Sequence, residues 1–425
     1  MPKRRVAVTG LGSVSPFGGD TADFFARIAS GESCIRHYAT DDRPRALSMP
    51  AVRCTGFDAD AVLGKPLAGT MDRFSQLGMA AAFEAWEHAG LARDDKNTGK
   101  YDFDGFGVSW GTALGGTLAY ERGYRDLWQN GRERLSPLAV VLGMNNAASA
   151  HIAMQLGLGN SCLSYTVACS SAAAAIGEGF RRIRDGEATL MLTGGSDAPL
   201  AYGVIRAWEN LRVLAPGDAD SSYRACRPFS ADRAGLVLGE GAAALVLEEW
   251  EHAVARGAPI LAELAGYGAT CDHSHLVKPD AAGQVRAMRL ALAGAGLAAD
   301  EIDYINAHGT ATREGDPTEV AALKTLFGER AATLPVSATK STHGHLMGAA
   351  GAIEALVTVM ALHQDTLPPT AHLDAIDADC RGVRHIAGEA LAGTGARAAL
   401  SNSFAFGGSN AVLAFRSPRA LSPLS

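Results

Sequence analysis

Paired cysteines are what this chain most conspicuously lacks. Its seven cysteines are odd in number, widely spaced and form no Cys-x-x-Cys pair. That excludes a disulfide framework or a zinc site of the usual spacing and points to free thiols in a reducing compartment. Charge is missing from residues 135–177, yet Pro137, Asn145, Asn146, His151 and Asn160 interrupt that segment. It never reaches the roughly 18 unbroken apolar residues of a membrane span, and we expect it instead to be deeply buried, in part against a second subunit. Basic residues are outnumbered, 38 Lys and Arg against 45 Asp and Glu, for a net charge of −7. That argues against nucleic acid as a general partner. The first residues are basic and then strand-like, without the apolar run and small-residue cleavage site of a signal peptide, so a cytoplasmic location is expected.

Glycine, by contrast, is plentiful: 49 residues, clustered in turn-like motifs rather than low-complexity tracts. At 425 residues the chain exceeds one ordinary domain, so two domains or one large duplicated unit is expected. Short β-like runs at residues 5–10, 105–110, 189–194, 236–248, 303–307, 334–339 and 398–401 alternate with helical segments, the pattern of α/β layering. Two pairs of segments echo each other. Residues 162–169 with the Ala-rich helix after them resemble 334–340 with the helix after Gly348. The glycine turn and apolar strand at 235–247 resemble those at 406–415. These echoes predict two similar halves, 1–255 and 256–425.

The most informative junction is Tyr165-Thr166-Val167-Ala168-Cys169-Ser170-Ser171-Ala172. An apolar, strand-like run ends at a thiol and a small-residue helix begins. Unpaired N–H groups and the positive end of the helix dipole favour thiolate at such a position, and thiolate is the attacking species. The alternative is a buried cysteine serving as a small hydrophobe.

Three later segments offer partners. His308, in Asn306-Ala307-His308-Gly309-Thr310-Ala311-Thr312, follows a strand-like run and so stands above a sheet edge. Lys340-Ser341-Thr342-His343-Gly344-His345 places a lysine and two histidines between a strand and a helix. The glycine turn from Phe404 to Asn410 could aim backbone N–H groups at an oxyanion. Each has a plain alternative as a structural histidine, a solvated lysine or an ordinary turn. Glu354, however, sits among Ile353, Leu356, Val357 and Met360, where a carboxylate needs a cation or donor. Lys340 or a nearby histidine would answer that need.

Taken in this order, Cys169, His308, Lys340 with His345, and the Phe406 glycine turn, the chain resembles the β-ketoacyl-acyl carrier protein synthases of the elongating Cys-His-His type. These are type II condensing enzymes of the thiolase superfamily. The segments Arg227-Pro228-Phe229-Ser230 and Leu238-Gly239-Glu240-Gly241 are similar to that family as well. The resemblance implies a thiolase-like five-layer α-β-α-β-α sandwich of two duplicated halves, usually dimeric. It implies that Cys169 takes an acyl group from acyl carrier protein, and that malonyl-carrier then loses carbon dioxide. The carbanion attacks the acyl-cysteine and gives a β-ketoacyl product two carbons longer. His308 and His345 would hold the enolate oxygen, Lys340 and Glu354 would support them, and the N–H groups of Cys169 and Phe406 would form the oxyanion hole. Thr310, Thr312, Phe404 and Leu114 would line the substrate path, with Leu114 flooring the acyl pocket. No cofactor or metal is implied, because the phosphopantetheine arm arrives on the carrier. His345 matches the family's motif and His343 fills a variable position.

Two departures stand out. The family's Gly-Phe-Gly-Gly gate reads Ala405-Phe406-Gly407-Gly408, and alanine narrows the backbone angles available there. The stretch Lys65-Pro66-Leu67-Ala68-Gly69-Thr70 matches part of the family's basic carrier-docking patch but holds one cation, leaving Arg132, Arg134 and Arg212 as candidates. Both lean toward a dedicated pathway, such as a polyene, a nodulation-type lipid or another type II polyketide, and away from primary fatty-acid synthesis. The partner is then acyl carrier protein, with a homodimer or a heterodimer containing a chain-length-factor-like subunit. Rival expectations are a non-catalytic chain-length-factor-like subunit, a Cys-His hydrolase, or a degradative thiolase whose second cysteine would be Cys380 in Cys380-Arg381-Gly382.

Overall fold

The computed structural model describes residues 3–41 and 43–421. Ten strands carry the architecture. In the first half they are β1 (Val6–Val14), β2 (Phe106–Gly111), β3 (Cys162–Tyr165), β4 (Leu190–Asp197) and β5 (Gly241–Glu249). In the second they are β6 (Ala262–Cys271), β7 (Tyr304–Asn306), β8 (Pro335–Ser337), β9 (Ala398–Ala405) and β10 (Ser409–Arg416). The first five lie in the order β3-β2-β4-β5-β1 and the second five in the order β8-β7-β9-β10-β6. Directions repeat too: the three strands at one end of each half run parallel and the last two antiparallel. The two halves are therefore duplicates, and both sequence echoes fall on equivalent strands, β3 with β8 and β5 with β10. The halves join where β1 meets β6, Ala7 opposite Glu263 and Val8 opposite Ala262. A short strand, Arg384–His385, extends the outer edge beyond β8.

Strands β1, β4 and β5 are buried along nearly their whole length, as expected when helices cover both faces of a sheet. Between the halves lie α3 (Ser171–Arg184) and α6 (Ala350–Gln364), which pack on each other and on strands of both halves. α1 (Arg73–His88) and α2 (Ala147–Leu156) cover the outer face of the first half, α4 (Ala281–Ala295) and α5 (Gly315–Phe327) that of the second. Among the described residues three large cores follow, a central one around Ile176, Phe180, Leu356 and Val359 and one under each outer layer, with a smaller fourth cluster around Cys169. The segment Met347–Gln364 has the length and hydropathy of a membrane span, and burial in the middle layer accounts for its apolar character.

Two expectations are corrected. The strand expected at 236–248 begins only at Gly241, since Leu236 and Leu238 make single bridges to Leu214 and His345. The charge-free segment is not deeply buried within the chain: Val140 is 65% and Met154 62% exposed, and Leu163 is exposed on β3, the free edge of the first half. An apolar residue with no strand beyond it has nothing in its own chain to cover it.

Candidate active site

Cys169 stands where the chain leaves β3 and turns into α3. The turn is tight: the Ser170 and Ser171 N–H groups donate back to Val167 and Ala168 carbonyls, and both serine hydroxyls repeat those bonds. Ala168 carries the strain, at φ +48°. Gly111 admits the helix end, because a Cβ there would lie 2.3 Å from the Ala172 nitrogen. The elbow thus fixes the thiol just ahead of the helix, in a small apolar cluster with Leu236, Leu238 and Met347.

His308 lies two residues past the end of β7. Its loop is held by Glu319 on α5, whose carboxylate accepts the His308 N–H (2.9 Å), the Gly309 N–H (2.8 Å) and the Asn402 side chain (3.1 Å). Lys340, fully buried, donates to Glu354, to the His308 carbonyl (2.6 Å) and to His308 Nδ1 (3.3 Å). Three acceptors match the three N–H groups of an ammonium. Because that group only donates, Nδ1 of His308 accepts and the ring proton sits on Nε2.

His345 reaches the same place by another route. Its N–H donates to the Val237 carbonyl (2.7 Å) and its carbonyl accepts from Gly239 (3.0 Å), which pins it to the first half. The Met347 N–H donates to His345 Nδ1 (3.2 Å), so this ring too carries its proton on Nε2. The His308 and His345 rings meet edge to face with centroids 5.6 Å apart. Burial and then the Lys340 charge hold both imidazoles well below the usual histidine range, leaving two neutral N–H donors side by side. His343 is engaged elsewhere: its Nδ1 donates to the Gly344 carbonyl (2.8 Å) and its Nε2 accepts from Thr339 (3.0 Å).

Cys169, His308 and His345 line one cavity of about 340 Å³ together with Thr310, Thr312, Phe404, Phe406 and Arg212. The Phe406 N–H lies near enough to the Cys169 sulfur to favour its thiolate. Several expected residues lie off this cavity. Leu114 does not line it; its N–H is held by Asp197 (3.2 Å) in the loop after β2. Arg132 and Arg134 are exposed and away from the mouth, Arg132 beside Asp126 at 3.4 Å. Cys380, the thiolase-like candidate, is buried outside the cavity in a short turn. Ala405 sits in ordinary extended backbone (φ −108°, ψ 158°), so alanine imposes no strain at the gate.

The expected ionised thiol is also corrected. Burial, the largest influence, pushes the Cys169 thiol up to about 12, with Lys340 pulling the other way and Asp197 adding to the rise. Buried in this cavity, the sulfur holds its proton, and the two neutral imidazoles face it as Nε2–H donors.

The sequence reasoning missed Glu319, Asp316, Asp197 and Trp208. Asp316 and Glu319 lie three apart on the helix directly after the His308 loop, both fully buried or nearly so; two carboxylates on one apolar helix face were the available signal. Asp197 had none, because its donors, the Thr112 hydroxyl and the Ala113, Leu114 and Gly348 N–H groups, come from distant segments.

Comparison with known proteins bears on the fold and the family. Residues 3–253 match the model of the β-ketoacyl synthase N-terminal domain and residues 261–374 that of the C-terminal domain. Nodulation protein E of Rhizobium meliloti (strain 1021) is 41% identical, with 97% of this chain and 99% of that protein aligned. A 3-oxoacyl-[acyl-carrier-protein] synthase 2 of Synechocystis is 38% identical over 98% of this chain and 99% of its own length. Among solved structures, a β-ketoacyl synthase from Burkholderia phymatum superposes with a TM-score of 0.89 at 35% identity, covering 97% of this chain and 99% of that one. The ishigamide ketosynthase/chain length factor superposes at 0.88 and 32%, covering 98% and 99%. Fold, duplicated halves and sequence likeness across both thus lead to one conclusion: this chain belongs to the β-ketoacyl synthase family of acyltransferases.

Proposed function

We propose that this chain lengthens acyl groups by decarboxylative Claisen condensation, with Cys169 as nucleophile and His308 and His345 as the enolate-stabilising pair. One observation carries the reading: two imidazoles, each fixed with its proton on Nε2, line the cavity of a thiol at a helix mouth. Decarboxylation of a malonyl thioester builds charge on its carbonyl oxygen. That oxygen needs preorganised donors in a dry site, not a strong base. Cys169 sulfur attacks the acyl thioester, the carrier's C–S bond breaks, and the thiol proton leaves on the departing phosphopantetheine thiol. Malonyl-carrier then loses carbon dioxide against the two Nε2–H groups, its α-carbon attacks the acyl-cysteine carbonyl, and the bond from that carbon to Cys169 sulfur breaks, releasing the β-ketoacyl-carrier and a thiolate that takes up a proton from water. The N–H groups of Cys169 and Phe406 receive the oxyanion, Lys340 and Glu354 orient His308, and Thr310, Thr312 and Phe404 line the arm's path. The reaction so written draws its pantetheine from the substrate and uses no resident cofactor or metal.

Acyl carrier protein is the partner we assign, with Arg212 at the cavity mouth as its first cationic contact. A second subunit covers the free edge of β3 and the apolar residues beside it, either a second copy or a chain-length-factor-like chain; solved ketosynthase/chain length factor pairs of this fold support the latter. Similarity to nodulation protein E and to the ishigamide ketosynthase/chain length factor supports a dedicated pathway, and we take its product to be a specialised lipid or type II polyketide, polyenes included. All seven cysteines are free thiols, which suits the cytoplasm. The test is purified protein with acyl-carrier and malonyl-carrier, followed by mass spectrometry of carrier-bound products, with and without a candidate partner chain. A β-ketoacyl product two carbons longer is expected. Hydrolysis to free acid, or transfer to coenzyme A alone, would sink the reading.

A further inference from the structure

The indole of Trp208 and the ring of Phe406 are stacked, with centroids 5.8 Å apart and planes 22° from parallel. Trp208 belongs to the first half, on the helix Tyr202–Asn210, and Phe406 to the second, in the turn after β9. Both line the cavity that holds Cys169. We propose that Trp208 is a specificity-determining residue: it holds Phe406 in the closed position and so decides which acyl groups reach Cys169. The inference rests on the condensing role given to Cys169 above.

Two further features make the stack a latch and not mere packing. First, Phe406 is followed by Gly407 and Gly408 at φ +84° and +73°, and a Cβ built on Gly407 meets nothing within 4 Å. The turn therefore has open space beside Gly407, while Gly408 packs on Asp272 and the Gly407 N–H is held by the Leu276 carbonyl (2.7 Å), bonds that opening would have to break. Second, the Phe406 N–H lies near enough to the Cys169 sulfur to favour its thiolate. When sulfur bonds the acyl carbon and the carrier's C–S bond breaks, that N–H must turn from sulfur to the new oxyanion. The ring on the same residue moves with it, so acylation and loss of the stack are coupled. Trp208 touches no reacting atom in this scheme. Its effect is on the closed state, where an aromatic pair of this geometry shifts an equilibrium by about twofold to tenfold.

The test follows acylation of Cys169 by carrier-bound chains of several lengths and branching, using intact-protein mass spectrometry and stopped-flow indole fluorescence. In the wild type, the emission lost in Trp208→Phe should change at the rate of adduct formation. Trp208→Leu should speed the substrates that the wild type takes slowly by about twofold to tenfold, compressing the ratio between fast and slow. Trp208→Phe, which keeps a ring, should stay near the wild-type ratio. An unchanged ratio in a folded Trp208→Leu protein overturns the inference. So does an adduct that accumulates in the wild type with no change in that indole emission, a measurement that needs no Leu variant. If the wild type forms no adduct on Cys169 with any chain, it is the condensing-enzyme reading that fails.

Discussion

Lys340 Nζ lies 3.3 Å from His308 Nδ1 and donates to it while also binding Glu354, with both members of that ion pair fully buried. One ammonium thereby sets the tautomer of a histidine and neutralises a carboxylate in the middle layer. Removing it should damage chemistry and folding by separable amounts.

Lys340→Met leaves Glu354 charged or forced to take a proton in an apolar layer, and should cost ~3–5 kcal/mol of stability. The double variant Lys340→Met, Glu354→Leu should recover most of that loss in denaturant melts. It should not recover malonyl decarboxylation, because His308 Nδ1 still lacks its donor. Recovery of decarboxylation in step with stability in the double variant would contradict the assigned role.

His345→Ala should abolish malonyl decarboxylation, and His345→Asn should retain part of it, since an amide N–H can stand in for Nε2–H. His343→Ala should keep condensation while losing ~1–3 kcal/mol of stability, as its ring is hydrogen-bonded at both nitrogens in the core. The reverse ranking would exchange the two assignments.

Cys169→Ala should end acyl transfer to the protein and leave decarboxylation measurable, with loss of radiolabelled acyl-enzyme as the readout. In the wild type, the thiol held up at about 12 by burial should alkylate slowly near pH 8 and speed up as pH rises, without a plateau below about 10. A plateau near neutrality would show a thiolate already paired with an imidazolium.

Asp316 provides a pH test of the loop beneath His308. Burial raises it from an ordinary 3.8 to about 7, against the opposing N–H groups of Phe229 and Thr310 and the nearby Arg233. The folded chain keeps a proton there that the unfolded chain gives up. Its contribution to stability is therefore complete below about pH 4 and lost as pH climbs through 7. Relative to Asp316→Asn, the wild type should lose stability from pH 4 to 7, with ~4 kcal/mol as the ceiling for a shift of that size. Parallel melting curves across that range would contradict it.

Much of this was legible beforehand. Strands showed as apolar runs, and the duplication showed because equivalent strands need similar burial on both faces. Cys169 and His308 stood out because each ends a strand-like run, where a side chain escapes the sheet, and His345 because it matches the family's motif. Strand limits were poorer: Gly235 to Glu240 reads as strand by composition but is spent on cross-connections to Leu214, His345 and Val52. What holds Leu114 was not legible, because its N–H is fixed by Asp197, a bond invisible along the chain.

The amino-acid order by itself determined the layering, the two halves and the reactive residue types, since these follow from local periodicity and from side-chain chemistry. Only the folded arrangement decided the rest. It fixed which nitrogen of each histidine accepts, that burial raises the Cys169 thiol, and that Trp208 meets Phe406. Each of those depends on desolvation or on a contact between the halves, and such distances are set by packing in three dimensions, not by spacing along the chain.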